Sequence, residues 1–286
     1  MHDEFNYNLM KIDVFAICYN EEIILPYFLR HYKQFARNIT IYDNMSTDSS
    51  VDIMNVAGVK VVSYDSNNEF DESTYLKIKN NCWKDSDADW VIICDMDEFI
   101  YHPNLKTILE NTTATHIITE GYEMLSEVLP IGDKQIYDEI KFGFFKVDYS
   151  KPCLFKPSGI TESNFNPGCH TAKPEGNVIS ADDTRIKLLH YKYLNRNILI
   201  SKYAHYAKRQ SEEMKRKGWG NYQFWTPEIL NFQFDKWLSV SDNIIDYEPP
   251  IPDIDNIINP PLVPESSLTS KKNETSSRAS SDPTLL

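Results

Sequence analysis

The chain predicts an α/β fold: a mostly parallel sheet flanked by helices, with a helical extension toward the C-terminal end. Three observations carry that expectation. Short apolar runs alternate with stretches that are apolar at helical spacing. The connections between them are short and polar. One run, Trp90 to Cys94, is apolar throughout and ends on Asp95 and Asp97, as a strand buried on both faces of a parallel sheet does.

The elements follow in order. Ile12 to Cys18 reads as the first strand, and the polar turn Tyr19-Asn20-Glu21-Glu22 follows, with Asn20 able to cap a helix. Ile23 to Phe35 is apolar at helical spacing, with Pro26 near its start. Ile39 to Tyr42 is a second strand, and Asp43 to Ser49 holds turn and cap formers, among them Asp48. Val51 to Ala57 reads as a helix and Val59 to Tyr64 as a third strand. Glu72 to Lys84 is a helix with Tyr75, Ile78 and Cys82 on one stripe. The Asp95 strand comes next.

Beyond it, Asn104 to Glu110 reads as a helix and Thr115 to Tyr122 as a strand. Leu125 to Ile140 reads as a variable loop that could serve as a lid. Cys153 to Phe155 and Ile186 to Leu189 are short strands. Asn195 to Lys217 reads as one long helix, with Ile198, Tyr203, Tyr206 and Met214 inward. Its other face is basic, with Lys202, Lys208, Arg209, Lys215, Arg216 and Lys217. A solvated face is the plain reading, and contact with an anionic membrane surface the sharper one. Gly218 to Trp225 is aromatic-rich and suits either sugar stacking or packing. Residues 263–286 read as a disordered tail.

Asp95 and Asp97 stand where an open α/β sheet binds ligands. Two hard oxygen donors there suit Mg2+ or Mn2+ carrying a phosphate. A solvated acidic loop is the bland alternative.

Four segments in order resemble the family 2 glycosyltransferases. Cys18-Tyr19-Asn20-Glu21 is similar to a "CxNE" first turn, and Asp95-Met96-Asp97-Glu98-Phe99 to a "DxDEF" metal motif. Asp43 to Asp48 is similar to "DNGSTD", with Met45 in place of the glycine. Lys79-Asn80 is similar to an "RN" helix, with lysine for arginine. The resemblance covers residues 10–110 well and the rest loosely. It implies a GT-A (Rossmann-like) domain over residues 10–262, with nucleotide-sugar binding in 10–110 and acceptor binding plus the helical extension in 111–262.

The resemblance further implies a nucleotide-sugar donor, a UDP-sugar foremost, and a glycan, lipid-linked or protein acceptor. A divalent ion on Asp95 and Asp97 would stabilise the diphosphate leaving group. Asn20, Glu21, Asp43, Lys79, Asn80 and Asp95 are its candidates for holding the nucleotide sugar, and Glu98 for orienting a ligand or Lys79. An inverting reaction needs a base, and Glu120 and Glu123 are the candidates. His190-Tyr191-Lys192 resembles an "HY" plus lysine of the same subgroup. His190 is then the third metal ligand and Lys192 faces the diphosphate; His170, with Lys173, offers the same chemistry from a turn. Two alternatives remain: a nucleotidyltransferase, and a non-catalytic nucleotide-binding module.

Composition bounds the rest. At 286 residues the chain can bury one sizeable core. A net charge of −13 argues against nucleic acid as a partner. Five scattered cysteines read as reduced packing residues of a cytoplasmic protein. Met1 to Lys11 has no apolar core of a leader, and no stretch approaches the roughly 20 apolar residues of a spanning helix.

Overall fold

The computed structural model describes residues 10–181 and 184–246. The expected tail at 263–286 lies outside them.

The first half alternates as expected: β1 (Ile12–Cys18), α1 (Leu25–Tyr32), β2 (Asn38–Asp43), α2 (Ser50–Ala57), β3 (Lys60–Ser63), α3 (Glu72–Asn81) and β4 (Trp90–Asp95). All seven residues of β1 are buried, as are the first five of β4. Both runs therefore lack the polar alternation of a sheet with a wet face. Pro26 sits in the first turn of α1. Asp71 caps α3 by accepting the Thr74 N–H.

The chain continues through β5 (Glu98–Tyr101), α4 (Leu105–Asn111), β6 (His116–Ile117), β7 (Glu120–Ser126), α5 (Ile136–Glu139) and β8 (Phe142–Phe145). Then come β9 (Leu154–Phe155), β10 (Ile160–Glu162), β11 (Glu175–Gly176), β12 (Ser180–Ala181) and β13 (Lys187–Leu194). The helical extension is α6 (Arg196–Arg209), α7 (Glu212–Lys217) and α8 (Pro227–Val240), followed by β14 (Asp242–Asn243).

The larger sheet has the order β12-β6-β9-β4-β1-β2-β3. Strands β4, β1, β2 and β3 run parallel. Chain order reverses between β1 and β4, which makes their C-terminal ends a switch point. A second sheet, β14-β8-β7-β13-β5, begins at β5. The turn Met96-Asp97 is therefore the joint between the sheets. β13 runs antiparallel to β5, with His190 opposite Glu98, and parallel to β7, with His190 opposite Glu123. The Tyr191 N–H donates to the Asp97 carbonyl at 2.7 Å. Register alone thus brings a histidine of the second half to the end of β4.

Three expectations need correction. Thr115–Tyr122 is two strands in different sheets, parted at Thr119, whose N–H and hydroxyl both donate to the Lys151 carbonyl. Asn195–Lys217 is two helices. Ser211 caps α7 through the Met214 N–H, while Gln210 turns its amide to the Trp219 and Gly220 carbonyls. Leu125–Ile140 is not loop throughout: β7 runs into it, α5 lies within it, and Arg30 holds its Gly132 and Lys134 carbonyls beside α1. All five cysteines are free thiols. Among the described residues no helix is long and apolar enough to cross a membrane.

Candidate active site

A cavity of about 360 Å³ opens at the C-terminal ends of β1 and β4. Asp95 ends β4 there. Its Oδ1 accepts from Lys79 Nζ at 2.6 Å and its Oδ2 from Lys151 Nζ at 3.3 Å. Burial works against the charge, but the two ammonium groups hold the carboxyl well below its usual range. Glu98, buried at the start of β5, accepts the Asp95 N–H at 3.0 Å and pairs with Lys151 at 2.5 Å. Its partners are thus the Asp95 backbone and Lys151, and among the described residues it closes no ion pair with Lys79.

Asp97 follows in the joint. Burial again opposes its charge; Lys202, 3.3 Å from Oδ2, and His190 bring its pKa to about 2. Lys202 also lies 2.9 Å from Glu21, in the turn that follows β1. The Tyr206 hydroxyl donates to Glu21 at 3.3 Å. Burial raises the Glu21 pKa despite Lys202.

Two histidines line the same cavity with opposite tendencies. His190 Nε2 stands 3.6 Å from Asp97 Oδ1, and Nδ1 stands 3.3 Å from Glu123 Oε1. The latter contact sets the Glu123 carboxylate behind the ring, and no other side chain or backbone group among the described residues donates a hydrogen bond to either Glu123 oxygen. Burial disfavours the imidazolium, yet Glu123 and Asp97 raise the His190 pKa overall. Burial, then Lys151 and His190, push His170 down to about 3. Tyr149 stands between them, its ring centre 5.1 Å from that of His190 and 5.5 Å from that of His170.

Of the residues singled out from sequence, Glu21, Lys79, Asp95, Asp97, Glu98, His170, His190 and Lys192 line the cavity. The others do not. Asn20 caps no helix: its Oδ1 accepts the Thr47 and Asp48 N–H groups and ties the two strand-end turns together. Asp43 is buried at the end of β2, with Oδ2 on the Ser46 N–H and Oδ1 without a hydrogen-bond partner among the described residues. Asn80 accepts from Ser163 and the Phe165 N–H. Lys173 is exposed. Glu120 accepts from the Tyr122 hydroxyl, and Glu123 is fully buried behind His190. Neither expected base faces the cavity.

Lys151, Lys202, Tyr206 and Lys146 line it without having been singled out as site residues. Lys202 stood within the supposed solvated face of the long helix. Its signal was present: Lys202, Tyr206 and Arg209 fall at i, i+4 and i+7, one helical stripe. Arg209 is buried and stacks on Tyr19, 3.2 Å from the ring centre. Two of the six basic residues thus turn inward, and Lys215 and Lys217 pair with Glu212 and Glu213.

The donor set suits a hard divalent ion shared with a ligand's phosphates. Asp95 and Asp97 offer oxygens, and His190 carries a buried carboxylate behind its second nitrogen, the usual backing of a metal-bound imidazole. Among the described residues no three such groups converge tightly enough to hold an ion alone. Ligand oxygens would have to complete the sphere.

No family model matches the chain, and no curated protein matches it. It is similar to S. aureus TarS 1–349 in complex with UDP-GlcNAc, at 15% identity over 70% of this chain and 66% of that one, TM-score 0.38. The same protein with UDP gives 17% identity over 52% and 47%, TM-score 0.33. Glucosyl-3-phosphoglycerate synthase from Mycobacterium tuberculosis, in complex with Mn2+, UDP and glucosyl-3-phosphoglycerate, gives 14% over 40% and 44%, TM-score 0.28. The chain spans less than half the length of the first two structures it matches, 47% and 41%. With TM-scores below 0.5, these likenesses carry no argument about the chain's activity.

Proposed function

We propose that the chain is a glycosyltransferase of GT-A type that moves a sugar, with inversion, from a nucleoside-diphosphate donor to a glycan, lipid-linked or protein acceptor. One observation carries the reading. Asp95 and Asp97 face a cavity at the switch point of a parallel sheet, and lysines hold both as carboxylates, Lys79 buried beside Asp95 and Lys202 half-buried beside Asp97. That is the place and chemistry for a phosphate-bearing ligand. Asp95, Asp97 and His190 would hold Mn2+ or Mg2+, with Glu123 fixing the His190 ring. The ion, when bound, neutralises charge that develops on the departing diphosphate.

The chain's own residues do the rest. Lys79 and Lys151 hold Asp95 ionised and in place. Asp43, buried at the end of β2 and outside the cavity lining, shapes the strand-end turn through the Ser46 N–H rather than meeting the nucleoside directly. Glu21 is locked by Lys202 and Tyr206 into the same wall. A nucleotidyltransferase would want a glycine- and arginine-rich loop after β1, where this chain has Tyr19-Asn20-Glu21-Glu22. A non-catalytic module would have no need of both Asp95 and Asp97.

The test is hydrolysis of UDP-, GDP- and CMP-sugars by the full chain, with Mn2+ or with EDTA. Turnover of one donor, lost in EDTA and in Asp97→Asn, is expected, with inversion read from the anomeric proton by NMR. Full activity in EDTA would sink the metal role. Tight UDP binding with no turnover of any donor would favour the non-catalytic module.

A further inference from the structure

Two lysines line the cavity without a carboxylate. Lys79, Lys151 and Lys202 each lie within ion-pair distance of one. Among the described residues, Lys146 and Lys192 do not, although both reach the same space. Each ends instead on aromatic rings. Lys146 Nζ stands 4.2 Å from the centre of Tyr149 and 5.2 Å from that of Trp237. Lys192 Nζ stands 4.4 Å from Tyr222 and 5.2 Å from Tyr203.

Burial opposes the charge of both ammonium groups, Lys192 repels Lys146, and the buried Glu123 carboxylate favours both from a distance; the balance lowers the Lys146 pKa and raises that of Lys192. A ring face returns only about 0.5–2 kcal/mol. Asp148 lies on the same wall but is exposed and closes no ion pair with either lysine. A cation held ready on a rigid ring, with no carboxylate in ion-pair contact among the described residues, is what a site for an external anion requires.

We infer that Lys146 and Lys192 form a subsite for a phosphate or carboxylate carried by the acceptor. This rests on the transferase reading above and narrows its acceptor to an anionic one. Asp95 and Asp97 lie at the strand ends of the larger sheet, and Lys192 reaches the Asp97 side of that group, near enough to help lower the Asp97 pKa. Lys146 follows β8 and Lys192 lies in β13, both in the second sheet. Tyr149 links the two regions, with Lys146 over its face and His190 beside it. An anion on the lysines therefore leaves the rest of its molecule next to Asp97.

Calorimetry on the full chain tests this, with and without saturating UDP and Mn2+. The probes are glucose 6-phosphate, glucuronate and glucose. The two anions should bind the wild type at least about ten-fold more tightly than glucose. Lys146→Met and Lys192→Met should each erase that preference while leaving UDP affinity within about two-fold. Lys192→Arg, which keeps the charge, should retain it and guards against a folding defect in the methionine variant. Equal binding of glucose and its phosphate overturns the subsite. So does a UDP affinity that falls together with probe affinity, because the lysines would then serve the donor. If UDP fails to bind the wild type, the transferase reading fails alone, since the arm without UDP still reads the lysines.

Discussion

Around the strand ends of the larger sheet, cations meet carboxylates; on the second sheet, they meet rings. Lys79, Lys151 and Lys202 sit in ion pairs of 2.5–3.3 Å with Asp95, Glu98, Glu21 and Asp97. Lys146 and Lys192 sit over Tyr149, Trp237, Tyr203 and Tyr222. The first arrangement fixes geometry, because each charge has its counter-charge before any ligand arrives. The second fixes position and leaves the charge unspent. One cavity thus has a wall built to hold its own side chains still and a wall built to wait.

The largest break in that contrast should come from Asp95→Asn. It strips Lys79, which is 6% exposed, of its partner. Breaking a fully buried pair costs about 3–5 kcal/mol. The Asp95 side chain is 36% exposed and Lys151 keeps Glu98, so about 2–3 kcal/mol is expected, measured by urea unfolding. Asp97→Asn should cost less, since Lys202 keeps Glu21. Both should lose turnover. Equal stability costs for the two variants would mean that Lys79 does not depend on Asp95.

A change on the other wall comes next. A Cβ at Gly121 would run into the backbone of Tyr149 and Ser150. Gly121→Ala should cost about 1–3 kcal/mol by overpacking. It should also move Tyr149, and with it Lys146, so that anionic probes bind more weakly while UDP does not. A variant with wild-type stability and probe affinity would show that Tyr149 is not held from behind.

The two histidines sharpen the comparison further. The His190 pKa is raised in the fold, so its contribution to stability is full below about pH 6.5 and is lost as pH rises through the raised value. His170 is lowered to about 3. Below about pH 6.5 the unfolded chain takes that proton first, so the His170 contribution falls as pH falls from 6.5 toward 3. Ring NMR of the metal-free protein from pH 8 to pH 4 should show one histidine of this pair titrating above 6.5 and the other flat. Two rings titrating together near 6.5 would contradict both environments.

How much of this the sequence carried depends on range. β1 and β4 were legible because continuous apolar runs survive any tertiary context, and Asp95 and Asp97 because they lie at the end of one. Lys151 and Lys202 were not. They reach Asp95 and Asp97 from 56 and 105 residues away, and a lysine looks the same in sequence whether solvated or buried in a pair. That Glu120 and Glu123 do not line the cavity has a local reason. β7 continues to Ser126, and with its extent misread, the alternation that buries Glu123 and leaves Glu120 half-buried could not be assigned. The resemblance placed Met45 where a glycine is expected. Met45 keeps a left-handed backbone, φ 56°, with its side chain in solvent. Met45→Gly should therefore stabilise the protein by at most about 1 kcal/mol, the strain relieved less the entropy glycine loses. A loss of stability in thermal melts would mean that the side chain packs after all.

The pairing of Lys202 with Glu21 bridges 181 residues. Helix α6 also holds the loop before α3, where the Phe70 N–H donates to the Arg209 carbonyl and the Ser211 N–H donates to Phe70. Contacts of such separation form after local ones, because closing a long loop must precede any reward from it. Until α6 docks, Glu21 and Asp97 stand side by side with no cation between them, and their repulsion opposes closure of the strand ends. Refolding should accordingly pass through a state with the sheet formed and the cavity open. Raising the salt concentration, which screens those two carboxylates, should speed its disappearance.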